Sequence, residues 1–225
     1  VRVVPRPAAQ LAIVTQPDSV AQSGVPLGRQ PVVRLVDDLG GPVSQSGLTV
    51  TAEVASGAGT VSAGNSATTD ASGVASFSGL AITGQAGPYT LRFSAGGVAS
   101  VTSAVITLGA GGPTRLVVLD PQPASTASGA VLAPPPLVEL RDASGNPVAQ
   151  AGIAVSVELA SGSGSLGGKL TVSTGADGRA VFDSVIVSGP VPGPVVLRFK
   201  APGLADALSS SIAITPGAPV RLDIE

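Results

Sequence analysis

The sequence predicts an all-β chain folded as two tandem antiparallel β-sandwiches, and three observations carry that prediction. First, "VRLVDDLGGPV" at Val33 returns as "VELRDASGNPV" at Val138, about 105 residues on, and a fixed period marks a duplicated fold unit. Second, Val, Ala, Leu and Ile supply nearly all of the 44% apolar content, with four Phe, one Tyr and no Trp or Met. Third, thirty Gly and twenty Pro punctuate the chain, and no window of ten or more residues escapes Gly, Pro or a β-branched cluster, which indicates short strands between turn residues rather than helices.

The repeat extends well beyond the first match. "GLTVTAEVASGAGTV" at Gly47 aligns with "GIAVSVELASGSGSL" at Gly152, and "TDASGVASF" at Thr69 with "TGADGRAVF" at Thr174. After a one-residue insertion, "YTLRFSAGG" at Tyr89 aligns with "VVLRFKAPG" at Val195. The joints repeat too. Val1 and Val3 fall in register with Ile106 and Leu108 and with Ile212 and Ile214, and Leu11 and Ile13 with Leu116 and Val118 and with Leu222 and Ile224. The expected domains are therefore 1–7 as the end of a preceding repeat and its linker, 8–109 as repeat 1, 110–216 as repeat 2, and 217–225 as the first strand of a following repeat. With neither an initiator Met nor a leader pattern at its front, the chain reads as a mature form or a window on a longer array.

Within each repeat the apolar residues alternate with period two, as half-buried strands require. Leu48, Val50, Ala52 and Val54 are expected inward, with Thr49, Thr51 and Glu53 outward. Ile153, Val155, Val157 and Leu159 match the first set; Ala154, Ser156 and Glu158 match the second. Val33, Leu35, Val138 and Leu140 point inward, leaving Arg34 and Glu139 outward. Tyr89, Leu91 and Phe93, with Val195, Leu197 and Phe199, complete the core faces, and Arg92 and Arg198 face out. About seven such segments per repeat describe a sandwich of immunoglobulin type. No Cys or Trp is present, so packing of aliphatic side chains around Phe77, Phe93, Phe182 and Phe199 replaces a disulfide pin.

Taken in order, these motifs resemble the bacterial Ig-like repeats of invasin and intimin. They are a strand, a turn of the kind seen in Asp142–Val148, a second strand, and a later hairpin ending in Phe77 or Phe182. Gly41 stands where repeat 2 has Asn146, and Gly175 where repeat 1 has Asp70; both substitutions keep turn chemistry. The resemblance implies rigid spacer modules of secreted or surface-displayed bacterial proteins and of some phage virion proteins, whose binding activity resides in a separate terminal domain.

The composition excludes several kinds of function. Neither Cys nor His occurs, so thiol nucleophiles, Ser-His-Asp triads and the usual zinc sites are absent. The net charge of −2 comes without a basic stripe, so no nucleic-acid partner is expected, and no apolar run has the length of a membrane span. Asp37, Asp38, Asp70, Asp142 and Asp177 invite calcium, but without an alternating Asp ladder they are read as turn openers that accept backbone amides. Glu53 and Glu158 face outward without an acidic neighbour, which speaks against a glycosidase pair. Pro134–Pro136 and Pro31 are read as stiff starts to buried strands rather than polyproline ligands. No catalytic, cofactor-binding or metal-binding residue is therefore assigned, and no cofactor is expected.

The expected function is structural: spacer repeats of a long extracellular bacterial surface protein, an adhesin stalk or a filament shaft. The partners expected are neighbouring repeats of the same protein or identical subunits. An alternative is a filament or virion subunit that polymerises by donating a terminal strand, Pro219–Glu225, to a neighbouring Ig-like domain. A receptor-binding module ranks below both, because the single Tyr is expected inward and exposed aromatic anchors are lacking.

Overall fold

The computed structural model describes residues 6–119, 122–189 and 193–217. The chain divides into two compact units, Val1–Gly111 and Gly112–Glu225. The strand-like ends expected at Val1–Val4 and over 218–225 lie outside the described residues.

Unit 1 contains β1 (Gln10–Thr15), β2 (Val20–Gln22), β3 (Val32–Val36), β4 (Thr49–Ser56), β5 (Gly59–Ala63), β6 (Ser66–Thr68), β7 (Val74–Ser76), β8 (Ala81–Gly84), β9 (Gly87–Ala95), β10 (Val101–Thr102) and β11 (Ile106–Gly109). Unit 2 contains β12 (Arg115–Val118), β13 (Ser125–Ala127), β14 (Ala130–Val131), β15 (Leu137–Arg141), β16 (Ala154–Ser161), β17 (Ser165–Gly167), β18 (Thr171–Ser173), β19 (Arg179–Val181), β20 (Ile186–Ser188), β21 (Gly193–Lys200), β22 (Ala207–Leu208) and β23 (Ile212–Thr215).

In unit 1 a small sheet of order β1-β3-β7 faces a larger one of order β2-β11-β9-β4-β6, with β10 beside β9 and the two-stranded sheet β5-β8 alongside. Unit 2 repeats this as β12-β15-β19 and β13-β23-β21-β16-β18, with β22 beside β21. Each unit is thus an immunoglobulin-like sandwich. Two features depart from the sequence reading. The chain leaves the small sheet after β1 and joins the large one as β2, which runs parallel to β11, as β13 does to β23; the sandwiches are antiparallel apart from that one pair each. The segments also outnumber the expected seven, because long strands are cut by turns. Gly57 separates β4 from β5 with φ +116, and a Cβ there would stand 2.4 Å from Tyr89 Cδ1, so only glycine fits the break.

The flanking sheet also differs between units. Ala130 and Val131 pair with β20 as a third strand. The matching Pro26 makes only an isolated bridge to Ala81, since proline has no N–H with which to extend a ladder.

The core follows the predicted alternation. Val33, Leu35, Val50, Leu91 and Phe93 are buried in unit 1, as are Val138, Leu140, Val155, Leu197 and Phe199 in unit 2. Phe77 meets Phe93 with ring centroids 5.2 Å apart at 55°, and Phe182 meets Phe199 at 5.2 Å and 57°. Both are tilted arrangements of the kind that the aromatic quadrupole favours. The same two-ring bolt has been built twice.

Candidate functional site

The acidic turns come first, because they carried the one metal hypothesis. Asp37 Oδ1 accepts the amides of Leu39 and Gly41 at 3.0 and 2.7 Å. Asp70 Oδ1 accepts the amides of Ser72 and Val74 and the Ser72 hydroxyl, at 2.8, 3.0 and 2.6 Å. Asp142 accepts the Asn146 amide and its Nδ2, both at 2.8 Å, and Asp177 accepts the amide of Arg179. Each of these carboxylates closes its own turn, as side-chain mimics of a backbone turn do. Asp38 takes a different role as the ion-pair partner of Arg6. No group of three or more acidic ligands converges among the described residues.

Charge distribution follows the same local logic. The Arg6 guanidinium holds the Asp38 carboxyl below its ordinary range. The Ser72 hydroxyl, with the Val74 and Ser72 amides, does so for Asp70. Burial pushes the Tyr89 phenol up, and its hydroxyl donates to Gln85 O at 2.8 Å. That bond from the start of β9 back to the preceding turn is the tyrosine corner of immunoglobulin-type sandwiches.

Glu53 and Glu158 lie on the outer faces, as expected, but both meet cations across the strands. Glu53 stands opposite Arg92 in the register and pairs with its Nε at 3.0 Å. Glu158 pairs with Arg198 at 3.6 Å and Lys200 at 3.4 Å. These pairs are exposed on both sides and contribute about 0–1 kcal/mol each.

Glu139 lies on the outer face, as expected, yet it is only 2% exposed. Its Oε2 accepts Arg141 Nε and its Oε1 accepts Arg179 Nε, both at 3.0 Å, with Arg179 Nη2 also 3.0 Å from Oε1. Alternation places a residue on a face of the sheet but does not say what covers it; here the long arginine side chains close over the carboxylate. The matching Arg34 of unit 1 has its Nε buried with no hydrogen-bond partner. The sequence signal was Arg141 two residues along the same strand from Glu139.

The surface has a cleft in each unit. One of about 400 Å³ is bordered by Ser56, Gly57, Pro88, Tyr89, Thr90 and Val105. Another of about 390 Å³ is bordered by Ala154, Ser156, Thr171, Lys200, Pro202 and Asp206. Neither is bordered by two carboxylates. Pro31 and Pro136 serve as starts to β3 and β15, their carbonyls accepting the amides of Phe77 and Phe182 at 3.1 and 2.9 Å. Among the described residues no helix is long and apolar enough to cross a membrane.

Comparison with known proteins agrees with this architecture. Residues 7–108 match the family model described as SMCHD1 Ig-like domain 6. No curated protein matches the chain by sequence. Among solved structures, the D00–D0 domain of intimin is similar with a TM-score of 0.41 and 14% identity, over 91% of this chain and 99% of that one. FdeC, an Escherichia coli adhesin, gives 0.35 and 17% over 97% of this chain and 67% of that one. A β-glucuronidase of Parabacteroides merdae gives 0.31 and 15%, with 88% of this chain spanning only 24% of the enzyme. Likeness at this level fixes no function, and the fold rests on the sheet topology itself. The chain is a tandem pair of Ig-like domains.

Proposed function

We propose that the chain is a piece of a bacterial surface protein in which Ig-like units act as non-enzymatic spacers, setting reach and stiffness rather than carrying chemistry. The observation that supports this most directly is that each sandwich is complete. Unit 1 has its own first strand on β3 and its own last strand on β9, and unit 2 has the same on β15 and β21. A strand-donating subunit needs a sandwich with a vacant strand position; among the described residues neither unit has one. The connector between β11 and β12 runs from Ala110 to Thr114. The longest strand, β9, has 9 residues, roughly 30 Å of extended chain. The spacer works by covalent succession of such units, placing whatever lies beyond them away from the cell surface. Its partners are further Ig-like repeats, with no nucleic acid and no membrane insertion.

Small-angle scattering on chains carrying one, two and three copies of the two-unit segment tests this reading. The largest dimension should rise in equal steps per copy, with each species monomeric. A dimension that levels off, or polymers formed by a single copy, would exclude the spacer.

A further inference from the structure

The outer face of the small sheet of unit 2 carries more positive charge than its fold requires. Leu116, Val138, Leu140 and Ala180 are buried, so alternation turns Arg115, Glu139, Arg141 and Arg179 to the opposite face. The register sets Arg115 directly opposite Arg141, and Arg179 directly opposite Glu139. Glu139 is satisfied by two of these arginines, Arg141 and Arg179, through contacts of 3.0 Å. Arg115 joins no ion pair among the described residues, and it is held against a like charge, an arrangement that destabilises an antiparallel pair. Of the flanking acids, Asp177 accepts the Arg179 amide and Asp142 the Asn146 amide and Nδ2, and neither forms an ion pair with Arg115. In unit 1 the matching residues are Gln10, Arg34, Val36 and Val74, so the crowding is a property of unit 2 and not of the sandwich.

We propose that this face docks an extended acidic polypeptide segment, with carboxylates at alternate positions meeting the Arg115–Arg141 row and Arg179. Charge complementarity selects that occupant. The face bears three guanidiniums against one carboxylate, on a chain whose net charge is −2. The two basic rows lie two residues apart along β15, roughly 6.6 Å, which is the spacing of same-side residues in an extended chain. With Nε of Arg141 and Nε and Nη2 of Arg179 bonded to Glu139, that buried carboxylate anchors both forks, whose side chains stay 32% and 46% exposed. Guanidinium forks recognise carboxylates in this way. Val181, 47% exposed on the same face, supplies an apolar contact beside them.

The test titrates the whole chain with a blocked decamer of alternating Glu and Thr, followed by calorimetry at low and at physiological salt. Saturable binding that weakens with salt is expected. Arg115→Gln should lower the affinity about tenfold, the loss of one charge-assisted contact, without lowering the melting temperature, because Arg115 holds neither Glu139 nor the core. Arg34→Gln should leave binding unchanged. No binding, equal binding of a Gln/Thr decamer, or full affinity in Arg115→Gln would overturn the proposal. So would polyphosphate binding as tightly through Arg115, which would make the face a general anion site, or self-association abolished by Arg115→Gln, which would make the occupant a second copy.

Discussion

Unit 1 and unit 2 share most of their cores and differ chiefly in what lies around them. The Phe77–Phe93 bolt and the Phe182–Phe199 bolt have the same centroid distance. Ser103 Oγ accepts the buried Leu91 amide at 2.9 Å, as Ser209 Oγ does for Leu197. Thr69 and Thr174 each accept the amide that starts the neighbouring strand, both at 3.0 Å. Two departures lie outside the core, Arg34 against a clasped Glu139 on the small sheet and Asp37 with Gly41 against Asp142 with Asn146 in the turn, and a third, Tyr89 against Val195, lies in it at the corner. Inward volume is constrained by close packing on every side, whereas a sheet's outer face tolerates any arrangement that satisfies its own charges. Duplication has kept the first and let the second diverge. A difference between the units is therefore the best internal guide to function.

The most severe break in the comparison comes from removing a strand from one unit only. Deleting Arg115–Val118 takes away β12, which pairs with β15 along Arg115 to Val118, and should unfold unit 2. Tyr89, the only tyrosine, lies in unit 1, so its fluorescence should still report an unchanged unit 1 transition. Loss of that transition as well would mean that the units do not fold independently.

Next come the shared bolts. Phe93→Ala and Phe199→Ala should each cost about 3–5 kcal/mol in its own unit, with nearly equal values because the two sites are packed alike. Urea titration followed by circular dichroism, with Tyr89 fluorescence marking unit 1, separates the transitions. A twofold disparity would show that the equivalence of the cores is only geometric.

The outer faces should respond unequally. Glu139→Gln removes a buried carboxylate held by two guanidiniums and should destabilise unit 2 by about 1–3 kcal/mol. Arg34→Gln at the matching position removes a buried Nε that has no partner and should leave unit 1 no less stable. Equal losses would remove the distinction between a clasped charge and a solitary one.

How much of this was legible in the sequence follows the same division. The repeat, the alternation and the Phe positions placed the cores, because an inward position has to be apolar in both copies. The Asp turns were legible as well, since Asp two to four residues before an amide has a local partner. Glu139 was placed on the correct face but its burial was not read, because part of its cover comes from Arg179 on a strand 40 residues away, while Arg141 two residues along its own strand was the only local sign. The Glu53–Arg92 and Glu158–Arg198 pairs were hidden for the same reason. Ser103 and Ser209 could have been found: they sit at matching places in the two repeats, each two residues before an exposed position that precedes a core Ile. Periodicity alone passes over a buried hydroxyl.

The corner gives a smaller effect. Tyr89→Phe keeps the ring that fills the space beside Gly57, but removes the donor to Gln85 O. A loss of about 1 kcal/mol in unit 1 is expected, with unit 2, where Val195 makes no such bond, unaffected. Circular dichroism can follow the variant, which has lost its tyrosine signal.

The smallest expected effect separates by pH the turn between β6 and β7 from its counterpart between β18 and β19; each joins strands of different sheets and is not the hairpin the sequence suggested. The Asp70 carboxyl is held below its ordinary value by the Ser72 hydroxyl and the Val74 amide, while repeat 2 has Gly175 at that place. A carboxyl whose folded value lies below its unfolded value binds fewer protons in the native state. Its contribution is therefore fully present above the unfolded value of about 3.9 and is lost as pH falls through the folded one. Asp70→Asn retains an acceptor oxygen but cannot ionise. Wild type should accordingly be more stable than Asp70→Asn in unit 1 at pH 7 and at pH 5, and the gap should close as the pH falls toward 3 and below. Urea midpoints read from Tyr89 fluorescence across that range measure the gap directly. A gap that is constant with pH would mean that Asp70 acts in the turn through shape alone, and that its ionisation distinguishes nothing between the two repeats.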